Sequence, residues 1–277
     1  MTQGVLIFAQ NNDKVDYVKI AAYAAQRAIN HLSVPVSIIT NRDSAEAAEA
    51  MQIFDQVIVI DETVSNLKQF NDGTTNVGKL NWKNTTRSSA FDLTPYEETL
   101  VIDADYIINS PTLKYCWNQS NEFLIYQKSY DLASWRDNIE FKHISDYSIP
   151  FYWATVFWFK KTATTKKFFS LITHVKENWG YYKFLYQIRS NSFRNDFAFS
   201  IAIHMLNGFT KGDFENHLPG KMFYTLDSDI LLDTKDNNML FLVGSNTATG
   251  GYIPIKTSKL DMHVMNKFSL LRNIENV

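Results

Sequence analysis

Two acids one residue apart close the apolar run Thr99-Leu100-Val101-Ile102-Asp103-Ala104-Asp105. An unpaired carboxylate is costly in a buried strand, so two at the end of one require a partner. A divalent cation is the simplest, because it takes oxygen ligands and neutralises both charges. In open α/β sheets the ligand crevice lies at the carboxyl ends of the strands, where this pair falls. The competing possibility is a turn in which one acid caps the next element. The pair alone leaves both open, and its place after a fourth apolar strand favours the metal.

Other residues of the right type recur along the chain. His263 ends the short segment Leu260-Asp261-Met262-His263, and Lys267 follows four residues later. Neutral imidazole ligates Mn²⁺ and an ammonium neutralises a diphosphate, although a lone histidine is also an ordinary structural residue. Asn195 and Asp196 open an apolar helix expected over Arg194–Leu206. They either cap that helix or turn Asp196 toward a substrate. Lys79, Lys83 and Arg87 recur every four residues and would share one face of a helix over Leu80–Phe91. Such a face repels itself unless it meets an anion such as a nucleotide phosphate, or stays solvated. Trp82, Trp135 and Trp153 could stack on a ring of a ligand or fill the core.

Regular elements must position these groups. Val5–Ala9, Val36–Thr40 and Val57–Ile60 read as buried parallel strands. Helical spacing over Val15–Leu32 and Ser44–Met51 separates them, which predicts right-handed crossovers in a mostly parallel sheet flanked by helices. Residues 62–79 are polar with Gly73 and Gly78 and read as a loop over the crevice. Pro150–Lys160 is strongly β-prone, Thr162–Ile188 is helical with a break at Gly180, and the last 70 residues hold short strands and turns. The 277 residues show no linker or repeat, so the expectation is one domain over 1–277 with a nucleotide-binding half (1–110) and an acceptor half (111–277).

Bulk properties narrow the classes. A net charge of −2 gives no overall basic field for nucleic acid. The single cysteine, Cys116, rules out an intrachain disulfide and argues against zinc. No apolar run is long enough to span a bilayer, and no basic-apolar leader opens the chain, so a cytoplasmic location is expected. Neither a Gly-x-Gly-x-x-Gly nor a Gly-Lys-Ser/Thr loop follows the first strand, which removes Rossmann dehydrogenases and P-loop proteins. There is no Gly-x-Ser-x-Gly elbow.

Taken in order, the opening strand-helix-strand, Lys83 and Arg87, the Leu100–Asp105 segment, Asn195-Asp196, and His263 with Lys267 resemble the GT-A glycosyltransferases, most closely the glycogenin and lipopolysaccharide galactosyltransferase type. The resemblance implies Mn²⁺ or Mg²⁺ held by Asp103, Asp105 and His263, with Ala104 between the acids. It implies Lys267 on the diphosphate, Lys83 and Arg87 on the nucleotide sugar, and Asp196 with Asn195 at the donor sugar. The family's Asn-Ser-Gly-Val is replaced by Trp153-Ala154-Thr155-Val156, and its His-Phe-x-Gly by His263-Val264-Met265-Asn266. The chain also resembles proteins of T4-like marine phages, which implies work in the cytoplasm of an infected bacterium. The expected activity is metal-dependent transfer from a nucleotide-diphosphate sugar, with UDP favoured and a retaining outcome. The acceptor is open, a modified base of phage DNA included. A nucleotidyltransferase and a silent carbohydrate-binding or virion protein are the alternatives.

Overall fold

The computed structural model describes residues 2–61, 66–71, 77–82, 86–136, 141–146, 148–190, 192–245 and 250–274, with the backbone alone at 66–71, 77 and 80–82. The chain opens with β1 (Gln3–Phe8), α1 (Tyr17–Leu32), β2 (Val36–Asn41), α2 (Arg42–Ala50) and β3 (Val57–Ile60). Apolar runs make the first two strands, which are almost wholly buried, as central parallel strands require. Asp16 starts α1 by accepting from the Lys19 backbone N–H at 2.9 Å, and Asn11 Oδ1 takes the Val18 N–H.

Next come β4 (Asn66–Asn71) and β5 (Val77–Trp82), an antiparallel pair in place of the expected loop and the start of the expected helix. Gly73, at the expected loop, lies outside the described residues. Leu80 and Trp82 recur at the two-residue period of a strand. The Asn and β-branched Thr residues of 84–86 are weak helix formers. Among the described residues, a 3₁₀ turn (Arg87–Ser89) and the short α3 (Ala90–Leu93) precede β6 (Glu98–Asp103). The chain then turns at Ala104 and Asp105 into β7 (Tyr106–Ile107).

The second half contributes β8 (Phe123–Tyr126), β9 (Ser129–Asp131), β10 (Trp153–Lys160), α4 (Ala163–Glu177), α5 (Trp179–Leu185) and α6 (Asn195–Leu206). The helical break falls at Asn178, whose amide caps the His174 carbonyl at 2.9 Å, and Gly180 sits inside α5. The remaining elements are β11 (Asn216–His217), β12 (Met222–Thr225), β13 (Ile230–Lys235), β14 (Asn238–Gly244), β15 (Tyr252–Ser258), β16 (Met262–Val264) and α7 (Lys267–Ile274). The last is a helix where only strands and turns were expected.

Seven strands form the central sheet in the order β11-β8-β10-β6-β1-β2-β3. The pairs β3/β2, β2/β1, β1/β6 and β8/β11 are parallel, and β10 runs against both of its neighbours. The protein is therefore a mixed α/β structure with a mostly parallel sheet flanked by helices. A second sheet, β7-β16-β12-β9, takes up the chain where β6 ends. Much of the aromatic content lies in one core between β8, β10, α4 and α6. There Phe123 meets Phe168 at 4.6 Å and Phe157 meets Phe199 at 4.8 Å between ring centroids.

Gly4 on β1 lies under the ring of Tyr96, so an added Cβ would come within 2.4 Å of the ring carbons. The Tyr96 hydroxyl is in turn fixed to Ser37 Oγ at 2.7 Å. Gly4→Ala is expected to cost about 1–3 kcal/mol through overpacking, read as a lower urea midpoint at unchanged slope.

Candidate metal centre

β6 pairs with β1 so that Asp103 stands opposite Phe8 at the carboxyl end of the parallel strands. Asp105 follows in the turn and is buried, as is Ala104 between the acids. β16 pairs with β7, placing His263 opposite Tyr106, and the Val264 N–H bonds to the Asp105 carbonyl at 2.9 Å. This pairing brings a histidine from near the end of the sequence onto the acid turn. His263 Nε2 lies 3.4 Å from Asp105 Oδ1 and 3.9 Å from Asp103 Oδ2.

Each acid also meets a cation through its other oxygen. Lys267 Nζ is 2.7 Å from Asp105 Oδ2, and Arg87 pairs with Asp103 Oδ1. Burial alone would raise the Asp105 carboxyl, but Lys267 and His263 outweigh it and hold the group well below the usual range. Burial likewise works against the Lys267 charge, and Asp105, Tyr17 and Asp227 reverse it, so the ammonium is held above its ordinary value. Burial pushes Arg87 down to about 10 against the fields of Asp196 and Asp105, which leaves it cationic at neutral pH.

One ligand atom each from Asp103, Asp105 and His263 lies within 4.8 Å of the other two. Two carboxylate oxygens and an imidazole nitrogen suit Mn²⁺ or Mg²⁺. His263 Nδ1 is buried without a hydrogen-bond partner among the described residues. The residues therefore fit a divalent cation.

Arg87 ties this centre to Asp196. The ladder between β10 and β8 is irregular between Trp153 and Phe157, and β10 meets β6 only from Val156 onward. The Ala154 peptide groups bond to side chains instead: its carbonyl accepts from Arg87 Nη1 and its N–H donates to Asp196 Oδ1 at 2.9 Å. Arg194 Nε and Nη2 reach Asp196 Oδ2 at 3.0 and 2.8 Å. The Arg194 guanidinium lies over the rings of Phe141, Phe151 and Phe197, 5.5 to 5.8 Å from their centroids. Arg194, rather than either polar residue, occupies the helix cap, and Asn195 is buried at the first helical position.

The structure thus gathers Asp103, Ala104, Asp105, Arg87, His263, Lys267 and Asp196 at one end of the sheet. Lys83 lies outside the described residues, and Lys79 stands on β5, so the expected basic helical face does not form. Trp153 is buried with its ring edge-on to His263 at 6.5 Å, and the Trp135 indole N–H bonds to the Gly244 carbonyl at 3.2 Å. Sequence reasoning missed Arg194, the Ala154 peptide and Tyr17. For Arg194 the signal was present, since Phe193 and Phe197 flank an arginine two residues before an acid.

No protein-family model and no curated protein matches this chain. Among solved structures it is similar to the galactosyltransferase LgtC in complex with donor and acceptor sugar analogues, with 14% identity over 72% of this chain and 70% of that one, and a TM-score of 0.44. The glycosyltransferase GlyE of Streptococcus pneumoniae TIGR4 is 11% identical over 79% of this chain and 45% of its own, with a TM-score of 0.43. The 4-diphosphocytidyl-2C-methyl-D-erythritol synthase of Anaerococcus prevotii is 13% identical over 72% of this chain and 82% of its own, with a TM-score of 0.35. At these values the roles of individual residues rest on the geometry above and not on the likeness.

Arg87→Met would strand Asp103 Oδ1 and the Ala154 carbonyl without their donor. The expected loss is about 3 kcal/mol of unfolding free energy, the scale for removing one partner of a buried pair. Urea denaturation checks it, and a loss under about 1 kcal/mol would mean that the guanidinium is not engaged as described.

Proposed function

We propose that this protein is a metal-dependent glycosyltransferase of the GT-A type, moving a sugar from a nucleotide-diphosphate donor to an acceptor hydroxyl. The observation that carries this is the convergence of Asp103, Asp105 and His263, with Lys267 beside them, at the carboxyl end of a mostly parallel sheet. In this assignment Asp103, Asp105 and His263 hold Mn²⁺ or Mg²⁺, which when bound draws negative charge from the departing diphosphate. Residues 1 to 110 then form the nucleotide half and residues 111 to 277 the acceptor half. The sequence resemblance favours a UDP-linked sugar and retention at the anomeric carbon. The acceptor is a hydroxyl of a glycan, a protein, a small molecule or a modified DNA base.

The chain's own groups have distinct tasks. His263 presents Nε2 between the acids from a strand that is hydrogen-bonded to the acid turn itself. Lys267, at the first position of α7, supplies a compact positive charge to the leaving diphosphate. Asp196 is pinned through both oxygens and serves as a fixed negative charge at the donor sugar, with Asn195 beside it. Among the described residues no helix is long and apolar enough to cross a membrane.

A thermal-shift panel of nucleotides and nucleotide sugars, with and without Mn²⁺, tests the proposal. Ligand at 100 times its Kd stabilises the native state by about 2.7 kcal/mol, a readable rise in Tm. The expected result is a shift for UDP or a UDP-sugar that requires Mn²⁺ and disappears in Asp103→Asn and Asp105→Asn. A shift for nucleoside triphosphates alone would replace sugar transfer with nucleotidyl transfer. No shift in a folded sample would end the transferase assignment. Asp196→Asn should keep the Mn²⁺-dependent shift while slowing UDP release from the donor by about 100-fold or more.

A further inference from the structure

Asp103 and Asp105 divide their oxygens in the same way. One oxygen of each faces His263 Nε2, and the other meets a cation, Arg87 for Asp103 and Lys267 for Asp105. Arg87 and Lys267 thus meet the oxygens that do not face His263, and the acids already carry compensating charge. Arg87 is fixed, because its guanidinium also holds the Ala154 carbonyl in the buried core. Lys267 is a different device. Its ammonium is a point charge on a flexible stem, hydrogen-bonded to the Met265 carbonyl at 2.9 Å and ion-paired with Asp105 at 2.7 Å.

We infer that Lys267 is a resident counter-cation that opposes binding of the metal alone and is redirected by the diphosphate, so that metal and diphosphate bind cooperatively. This rests on the proposed function and adds a binding order to that site. A 2+ ion entering next to two resident cations meets acids whose charge is already matched, so its gain is small. A diphosphate arriving with the ion brings the missing negative charge and offers Lys267 oxygens of its own. Asp105 then gives its full charge to the ion. By linkage each ligand raises the affinity of the other by the same factor.

The geometry makes an uncommon demand on one variant. A lysine that only bound phosphate could be removed without effect on the metal. A lysine that competes with the metal for Asp105 must, when removed, improve metal binding. Lys267→Gln keeps a polar side chain, one bond shorter, and deletes the charge, while Lys267→Arg keeps the charge.

The test follows free Mn²⁺ by electron paramagnetic resonance during titration of the full chain, with and without saturating inorganic pyrophosphate. In the wild type, pyrophosphate should tighten Mn²⁺ binding by about tenfold or more, within the usual span of coupling between sites. Lys267→Gln should bind Mn²⁺ alone about tenfold tighter than wild type, with the pyrophosphate effect reduced. Lys267→Arg should match wild type for the metal alone. Unchanged or weaker Mn²⁺ binding by Lys267→Gln, in a sample with the wild-type circular dichroism spectrum, would overturn the inference. So would tight wild-type binding of Mn²⁺ that pyrophosphate leaves unaltered, although the metal assignment would then survive. A wild type that binds neither probe would remove both. The wild-type comparison needs no variant, so a misfolded Lys267→Gln does not shield the inference.

Discussion

A guanidinium buried at the junction of three segments sets the geometry of everything around it. Arg87 arrives on a short 3₁₀ turn, and its five donors are rigidly arranged. One nitrogen meets Asp103 at the end of β6 and another meets the Ala154 carbonyl in the irregular part of β10. The same alanine's N–H then fixes Asp196 at the start of α6. The metal-side acid and the sugar-side acid are thus connected through one residue's backbone. A lysine would not reproduce the planar fork that presents two separate nitrogens to these two acceptors.

The second sheet performs the complementary task from the other side. It takes β7 directly from the acid turn and adds β16, so strand register decides that His263 faces Asp105. Further support comes from Arg136, which grips Asp131 and Asp229 with paired hydrogen bonds. The Asp229 carbonyl accepts from Asn266, and Asn266 Oδ1 takes the Ser269 N–H in the first turn of α7. Lys267 sits in that turn. The backbone turn that carries Lys267 is therefore anchored to a salt-bridged clamp.

The strands β1, β2, β3 and β6 and the pair Asp103/Asp105 were legible because apolar runs of that length bury themselves, and charge at the end of one is too costly to stand without a partner. The helices α1, α4 and α6 were legible from their 3.6-residue period, although α4 stops at an Asn and not at the nearby Gly. The hairpin β4–β5 was not, since Gly and polar residues obscured its alternation. Arg87 was singled out for its spacing to Lys79 and Lys83, but Lys79 stands on β5 and Arg87 on a 3₁₀ turn. One of its two partners, the Ala154 carbonyl, is a backbone atom left out of the ladder by a strand irregularity, which no residue type announces. Most of the Phe and Trp rings proved to be core, as their number alone could not decide.

The acids and their partners are also separated in time. β7 pairs with β16 alone in its sheet, and β16 lies near the end of the chain. During synthesis Asp103 and Asp105 therefore leave the ribosome long before His263 and Lys267 exist. Until then Asp105 lacks the ammonium and the imidazole that flank it in the finished fold, and closing so long a loop is slow. The small sheet becomes the last part to lock, and a chain cut short after β15 would keep its parallel strands while its acid turn stayed open to water.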